Sequence, residues 1–463
     1  AAGRATACAL GCSPPMKREL NRRQSMAALM GIATTMSTTP SQAQSAATAS
    51  SPSAASSTTP AAAPSMARAA AGLEPRLGPV VPLGGSVRFD NPVVWKRLVE
   101  LAGGPGSSFA VMSMASGRPD RVANLAQQAL QRAGAKTEWV AVAPAIKDQD
   151  LAAAVRDPQW LRMVDRSQAV FFTGGAQARI VDTLRPQGQD SPLLEAVLRL
   201  QARGGLIAGT SAGAAVMSNT MFRDAPFVTS VLKGILRRGV EYDKGLGFGP
   251  DGLLIDQHFL KRGRVGRLIP LMLTTGDKLG LGVDEDSAAL VHDGEIEVLA
   301  GRGALLVELQ AATQRVENGA LSLQGARISL LEPGDRFNLE TGRLQPSEFK
   351  LTTPVTFRAP NFDPTFEFDR YFMDILADYA IVDAMTQLVD GPKAQVRGLA
   401  FSAITRPGDT RPDLGFEFIL TRDEHTRAWA PLGTGGDPYT IERVKLDIRP
   451  VRLTLPLVRD WGA

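Results

Sequence analysis

Gly205-Leu206-Ile207-Ala208-Gly209-Thr210-Ser211-Ala212-Gly213-Ala214-Ala215-Val216 is the stretch from which the fold can be read. Its first four residues are an apolar run without alternation. Such a run reads as a strand buried on both faces, the habit of parallel sheets covered by helices. It passes without a spacer into Gly-x-Ser-x-Gly and then into small residues that suit a first helical turn. Strand, cramped turn and helix in that order form the setting of a nucleophile elbow, where flanking glycines leave room for an exposed serine hydroxyl. The same turn aims backbone N–H groups at a developing oxyanion. A serine hydroxyl needs a base before it is nucleophilic.

The surroundings extend the pattern. Pro79 to Leu83 reads as a strand ending at Gly84-Gly85, and Pro92 to Ala102 as a helix that Pro92 opens and Gly103-Gly104 stops. Phe109 to Met114, Thr137 to Ala143 and Ala169 to Phe172 are further strands, and Arg121 to Ala133 and Leu193 to Arg203 further helices. Apolar strands alternating with helices predict an α/β fold, a doubly wound and mostly parallel sheet flanked by helices. Active sites in such sheets lie at the carboxyl ends of strands. After about residue 287 the texture changes. Ala288 to Val291, Ile296 to Leu299, Ala304 to Leu309 and Arg327 to Leu331 are short strands between glycine turns, read as antiparallel closing strands of the same domain. Phe372 to Leu388 carries apolar residues at helical spacing. The tail alternates through Val444, Leu446 and Ile448, then through Val451, Leu453 and Leu455 once Pro450 has shifted the register. Residues 346–463 therefore read as a C-terminal α+β extension of a domain spanning 78–345.

The chain has three histidines, His258, His292 and His425. His258 follows the apolar run Leu253-Leu254-Ile255 in Asp256-Gln257-His258-Phe259, which sets it on the strand-end rim expected for Ser211. His292 and His425 are flanked by turn or charged residues and read as superficial. A third group should orient the imidazole and stabilise its charge. Another apolar strand, Leu279 to Val283, leads into Asp284-Glu285-Asp286, and spacing does not choose among these three carboxylates.

With these motifs on the page the sequence resembles the cyanophycinases. Gly209-Thr210-Ser211-Ala212-Gly213-Ala214-Ala215, Asp256-Gln257-His258-Phe259 with Arg262, Arg264, Gly266, Arg267 and Leu268, and Val283-Asp284-Glu285-Asp286 stand in the order seen in that family. Phe172-Thr173-Gly174-Gly175-Ala176-Gln177 is similar to the family's Thr-Gly-Gly-Asp-Gln segment. The resemblance spans roughly residues 78–345. It implies a serine peptidase on a class I glutamine amidotransferase-like fold, usually dimeric, that cuts cyanophycin (a poly-aspartate backbone with arginine on each β-carboxyl) into β-Asp-Arg dipeptides. Carried over by motif, Ser211 is the nucleophile, His258 the base and Glu285 its orienter. Gly175 and Ala212 then supply oxyanion N–H groups, and Gln177, Asp256, Gln257, Arg262, Arg264 and Arg267 hold substrate. An arginine fork binds both oxygens of a carboxylate at once, which suits such a substrate. Two positions depart from the family: Ala176 replaces the aspartate before Gln177, and Ser86-Val87-Arg88-Phe89 replaces acidic residues after Gly84-Gly85. An isoaspartyl peptidase of the related peptidase E group is the nearest rival, but that group lacks the arginine-rich run. An α/β-hydrolase esterase would need the order serine, acid, histidine, and here His258 precedes the acids. A non-catalytic secreted binding protein on the same fold is the rival from another class.

Composition narrows the rest. At 463 residues, 44% hydrophobic and 21% charged, the chain can bury a sizeable core. Its net charge is +4, but residues 1–43 hold five of the 51 basic and one of the 47 acidic residues, so 46 of each sign remain. No global pull on nucleic acid or membrane is expected of that remainder. Met16 offers a start, followed by Arg22-Arg23, a short apolar stretch from Met26 to Met36, and small residues at Ser41-Gln42-Ala43. This order predicts a twin-arginine export signal over 1–43, removed in a periplasmic or extracellular product. The only cysteines, Cys8 and Cys12, would leave with it, excluding disulfides and thiolate chemistry. Residues 44–77, mostly Ala, Ser, Thr and Pro, read as a disordered linker. No metal or other cofactor is expected, since zinc-ligand spacings are absent.

Overall fold

Side chains alternate across a strand, and in the first sheet both alternations are apolar. Val81, Leu83, Phe109, Val111, Phe171 and Ala208 pack on one face, and Val80, Ala110, Met112, Val170, Phe172 and Ile207 on the other. The strands are β1 (Val80–Leu83), β2 (Ser108–Met112), β3 (Lys136–Val140), β4 (Ala169–Phe172) and β5 (Leu206–Thr210), parallel throughout in the order β1-β5-β4-β2-β3. Helices α1 (Pro92–Leu101) and α2 (Pro119–Arg132) cover the first face. The second is covered by α3 (Leu151–Ala154), α4 (Pro158–Arg166), α5 (Gln177–Leu184) and α6 (Pro192–Ala202). The expected doubly wound arrangement is therefore present. Its helices start where capping chemistry says they should: Asn91 accepts the Val93 N–H at 3.2 Å, and Ser191 accepts that of Leu194 at 3.2 Å, each just before a proline.

The architecture is that of a computed structural model, which describes residues 77–460 apart from 225, 360, 367–369, 403, 405–408, 431–438, 455–456 and 458–459. The expected export signal and all but the last residue of the expected linker lie outside the described residues, as does Leu455 of the tail. Among the described residues no helix is long and apolar enough to cross a membrane.

After β5 and the short helix α7 (Ala212–Ala215), the chain makes a hairpin of β6 (Thr220–Phe222) and β7 (Tyr242–Lys244), with α8 (Val228–Leu232) between them. It then begins a second sheet. Strands β8 (Leu253–Gln257) and β9 (Leu279–Val283) run parallel, joined by α9 (Val265–Thr275). From there the chain alternates between sheets. The antiparallel β10 (Ala288–His292) and β11 (Glu295–Ala300) extend the first sheet beyond β1. Next, β12 (Ala304–Glu308), β13 (Thr313–Glu317) and β14 (Ala320–Leu331) join the second, while β15 (Arg336–Asn338) and β16 (Leu344–Gln345) close the first.

The C-terminal residues supply β17 (Tyr371–Phe372), α10 (Ala380–Val389), β18 (Gln395–Ala400), β19 (Leu414–Thr421), β20 (Arg427–Trp429) and β21 (Thr440–Arg452). The second sheet runs β17-β18-β19-β21-β14-β12-β9-β8, so the α+β extension continues it across the pairing of β14 with β21. One core serves both parts: Leu268 and Leu271 of α9, Ile328 and Leu330 of β14, and Leu388 of α10 are buried together with Phe418 and Leu446. Each such side chain contributes about 1.5–3 kcal/mol by leaving water. The helix expected from Phe372 begins only at Ala380. Phe372 lies in a strand, the Ile375 N–H donates to Leu399 O at 2.9 Å, and Tyr379 takes a left-handed φ of 57° before the helix starts. Tertiary pairing outweighs the helical spacing over that first half.

Candidate active site

The register of the two sheets brings three strand ends together. Thr210 of β5 lies opposite Leu83 of β1, and the Ser211 N–H donates to Leu83 O at 3.0 Å. The next peptide along β1 reaches the second sheet: Gly84 O accepts the His258 N–H at 2.6 Å, and the Gly84 N–H donates to Ser287 O at 3.0 Å. A Cβ on Gly84 would lie 1.7 Å from Asp284 O, so only glycine fits this crossing. In the second sheet Gln257 of β8 is in register with Val283 of β9, which sets His258 and the carboxylate run side by side.

Ser211 sits on the elbow with φ 55° and ψ −111°, a conformation that a residue with a Cβ adopts only when its surroundings enforce it. Both flanking glycines are sterically required. A Cβ on Gly209 would meet Gly213 O at 2.7 Å, and one on Gly213 would meet Phe172 O at 2.5 Å. Ser211 Oγ lies 2.9 Å from His258 Nε2, and His258 Nδ1 lies 2.5 Å from Glu285 Oε1. Burial and the nearby Arg262 charge lower the His258 pKa to about 4, against the hydrogen bond from Glu285 that raises it. The imidazole is therefore neutral near pH 7. It donates Nδ1–H to Glu285 and leaves the Nε2 lone pair for the serine proton. Burial pushes the Glu285 carboxyl up, but the hydrogen bond it accepts from His258 and the Arg262 charge bring it below the usual range. It stays ionised to hold the imidazolium that forms on proton transfer.

The three carboxylates of the run divide the work. Glu285 takes the imidazole. Asp284, fully buried, accepts the Lys261 N–H at 2.9 Å. Asp286 holds the loop after β1, accepting from Arg88 Nε at 2.7 Å and from Asn91 Nδ2 at 3.1 Å. That contact explains why a basic residue stands at Arg88. His292 and His425 are partly exposed beside Asp293 and Glu424 respectively, as their flanking residues suggest.

The segment expected to build the oxyanion pocket runs along the nucleophile: a Cβ on Gly174 would lie 3.1 Å from Ser211 Cβ. Gly175, at φ 148°, crosses so close to Ala115 O that a Cβ would sit 2.2 Å from it. Ala212 is the first residue of α7, where a helix has no internal acceptor for its N–H. The Ala176 N–H is already spent on Ala115 O at 3.0 Å, and as N-cap of α5 Ala176 offers no side-chain cap.

The residues expected to hold substrate separate by burial. Arg262 is half exposed, 3.4 Å from Glu285 Oε1, and faces solvent at the triad. Asp256 and Arg267 are each 1% exposed and bind one another in a fork, Nε to Oδ2 at 2.7 Å and Nη2 to Oδ1 at 2.5 Å. The Arg267 guanidinium lies 4.2 Å from the Phe222 ring centroid. Arg264, 5% exposed, donates to Gln257 O at 2.7 Å, and burial with the neighbouring Arg267 charge lowers its pKa to about 9. Gln177 is buried and donates to Phe222 O at 2.8 Å and Asp224 O at 3.2 Å. Asp256 and Arg267 thus bind one another in this structure, and the Gln177 amide nitrogen binds backbone carbonyls, so these groups face the protein where the resemblance assigns them to substrate. Removing one member of a buried ion pair costs about 3–5 kcal/mol. Gln257 is buried as well, with no hydrogen-bond partner for its Oε1.

The glycines after β1 carry a requirement the sequence reading missed. Gly85, at φ 98°, lies under the imidazole, and a Cβ there would come within 2.3 Å of His258 Nε2. A Gly-Gly pair at the carboxyl end of a parallel strand was the available signal. Among the described residues no cluster of histidine and carboxylate side chains could hold a metal ion.

The model of peptidase family S51 matches residues 88–299. A cyanophycinase from Synechococcus elongatus is 30% identical over 278 residues, covering 58% of this chain and 81% of that protein. The chain belongs to peptidase family S51, with the cyanophycinases. A second S51 relative, the cyanophycinase of Trichormus variabilis, is 33% identical over 198 residues, or 41% of this chain. The match spans 63% of that relative's length. Among solved structures, a peptidase from an acI-B1 Actinobacterium aligns at a TM-score of 0.41 and 17% identity, over 59% of this chain and 96% of its own. The S51 match stops at 299, so β12 to β21 and α10 lie beyond it.

Proposed function

We propose that this chain is an exported serine peptidase that hydrolyses cyanophycin to β-Asp-Arg dipeptides. The observation that carries the reading is the row Ser211 Oγ, His258 Nε2, His258 Nδ1 and Glu285 Oε1, with separations of 2.9 and 2.5 Å, on a strained elbow. Ser211 Oγ attacks the scissile carbonyl carbon while His258 takes its proton. The oxyanion is met by the N–H groups of Gly175 and Ala212. Collapse of the tetrahedral intermediate breaks the C–N bond, and His258 returns the proton to the leaving amine. Water then attacks the acyl-serine ester through the same base and frees Ser211. Arg262, half exposed beside Glu285, offers its fork to a substrate carboxylate. Export rests on the Arg22-Arg23 signal pattern alone.

Incubating the protein with cyanophycin granules and following β-Asp-Arg by mass spectrometry, beside a Ser211→Ala control, tests the reading. Release by the parent and not by the control is the expected result. No release from folded protein would overturn the substrate. An isoaspartyl dipeptide is the second reading, and Ala176, which leaves the start of α5 without the family's carboxylate, is the best argument for a third, a non-catalytic binding protein. Silence on both substrates would favour a non-catalytic binding protein.

A further inference from the structure

The loop between β8 and α9 carries Arg262, and the loop after β9 carries Glu285. A short piece of the extension, residues 374–379, about 75 residues beyond the family match, packs against the first of these loops. The Tyr379 N–H donates to Leu260 O at 3.2 Å. Asp378 forms an ion pair with Lys261, whose own N–H is bound to Asp284. Gly263, at φ 55°, runs so close to the extension that a Cβ would lie 2.1 Å from Leu376 O.

Tyr379 joins the two loops. Its ring centroid lies 5.6 Å from Lys261 Nζ, on the first loop, and 4.7 Å from the guanidinium carbon of Arg302. The Arg302 N–H in turn donates to Ser287 Oγ at 2.8 Å, at the end of the second loop. Burial and the Asp284 carboxylate, next in the chain to Glu285, push the Tyr379 hydroxyl above the usual phenol range. Its backbone sits at φ 57°, a left-handed conformation that a bulky residue holds only when its contacts over-determine it. A strained residue that bonds one active-site loop and shares its ring with cations anchored to both loops is built to fix their spacing.

We propose that Tyr379 is a positioning residue for the triad, locking the Arg262 loop to the Glu285 loop, so that the C-terminal extension is a working part of the site. This rests on the peptidase reading above. Tyr379 touches none of the reacting atoms. It acts by keeping Glu285 where it can hold His258 Nδ1. Misplacing a catalytic group by about 1 Å costs up to roughly a hundredfold in rate.

The test compares Tyr379→Ala and Tyr379→Phe in the full chain, reading kcat, KM, the unfolding midpoint and amide hydrogen exchange at residues 259–264 and 284–287. Tyr379→Ala is expected to lower kcat by about ten- to a hundredfold with KM little changed, and to speed exchange in both loops while the core stays protected. Tyr379→Phe keeps the ring between its cations and should recover most of the rate and protection. Unchanged exchange and kcat in Tyr379→Ala would overturn the proposal. So would a rate loss explained wholly by global unfolding. If Tyr379→Ala does not fold, Tyr379→Leu, which keeps apolar bulk without the cation contacts, is read in the same way. Exchange is measured whether or not the parent cuts cyanophycin. A parent without turnover therefore counts against the peptidase reading, and exchange alone then decides the role of Tyr379.

Discussion

The two halves of the triad are held by different physics. Ser211 comes from the first sheet, where glycines give it room: Gly209, Gly213 and Gly174 each lie where a side chain would strike backbone or the nucleophile itself. His258 and Glu285 come from the second sheet, where charge and burial hold them. An imidazole kept neutral by burial hydrogen-bonds an ionised carboxylate, two residues along the chain from the buried pair of Asp256 with Arg267. Damage to the serine half should therefore be steric and abrupt. Damage to the base half should follow charge and be graded with pH. The two meet at Gly84 and Gly85, where the backbone of β1 passes from one sheet to the other.

The sharpest test of the electrostatic half is Glu285→Gln, which keeps shape and removes charge. It should lower kcat by about 10⁴-fold, the scale found when the acid of a serine triad becomes an amide. The readout is kcat at saturating substrate. A loss under tenfold would mean that another carboxylate, such as Asp284, can take over the role, and the division between halves would fail. Gly85→Ala tests the junction. The added methyl must displace the imidazole, so kcat/KM should fall about 10²-fold while KM changes little. An active Gly85→Ala enzyme would mean that the strand end yields and that sterics do not govern the crossing.

The smallest effect is on the pH profile. An ordinary histidine loses its basic form near pH 6.5, whereas His258 should do so only near pH 4. The acid limb of kcat/KM, which reports the free enzyme, should therefore fall close to pH 4. Stability follows the same sign. Between pH 6.5 and 4 the unfolded chain binds a proton at this histidine that the folded chain refuses, so the contribution is full above 6.5 and is lost as pH falls through 4. An acid limb near 6.5 would show that burial does not set this pKa.

Much of the serine half was legible in the sequence because its determinants are local. A buried strand leading into Gly-x-Ser-x-Gly specifies both the turn and the exposed hydroxyl. The partnership of His258 with the 284–286 run was legible for a related reason, since each follows an apolar strand and parallel neighbours end on the same rim, while the choice of Glu285 came from the family resemblance. The roles of the arginines were not. Arg264 and Arg267 share a helical face, but spacing alone cannot say whether that face meets a cleft or the inward-pointing Asp256. Arg262, two residues before Arg264 in the loop ahead of α9, is the residue left to solvent. Gly85 looked like the end of a strand because its constraint comes from an imidazole 173 positions away in the chain. Tyr379 fell inside an expected helix, since Phe372, Ile375 and Leu376 have helical spacing. Pairing with β18 and the 260–263 loop overrides that spacing.

The order of the second sheet has a consequence for when the enzyme is born. Strand β21, the last among the described residues, lies between β19 and β14, so the sheet carrying His258 is completed by residues 440–452. Closing contacts this far apart in sequence is slow. The serine can reach its turn early, but its base rests on a platform finished by the final strand. A chain still being made would thus carry a nucleophile without a settled partner. Proteolytic competence is expected to arrive only as the second sheet closes.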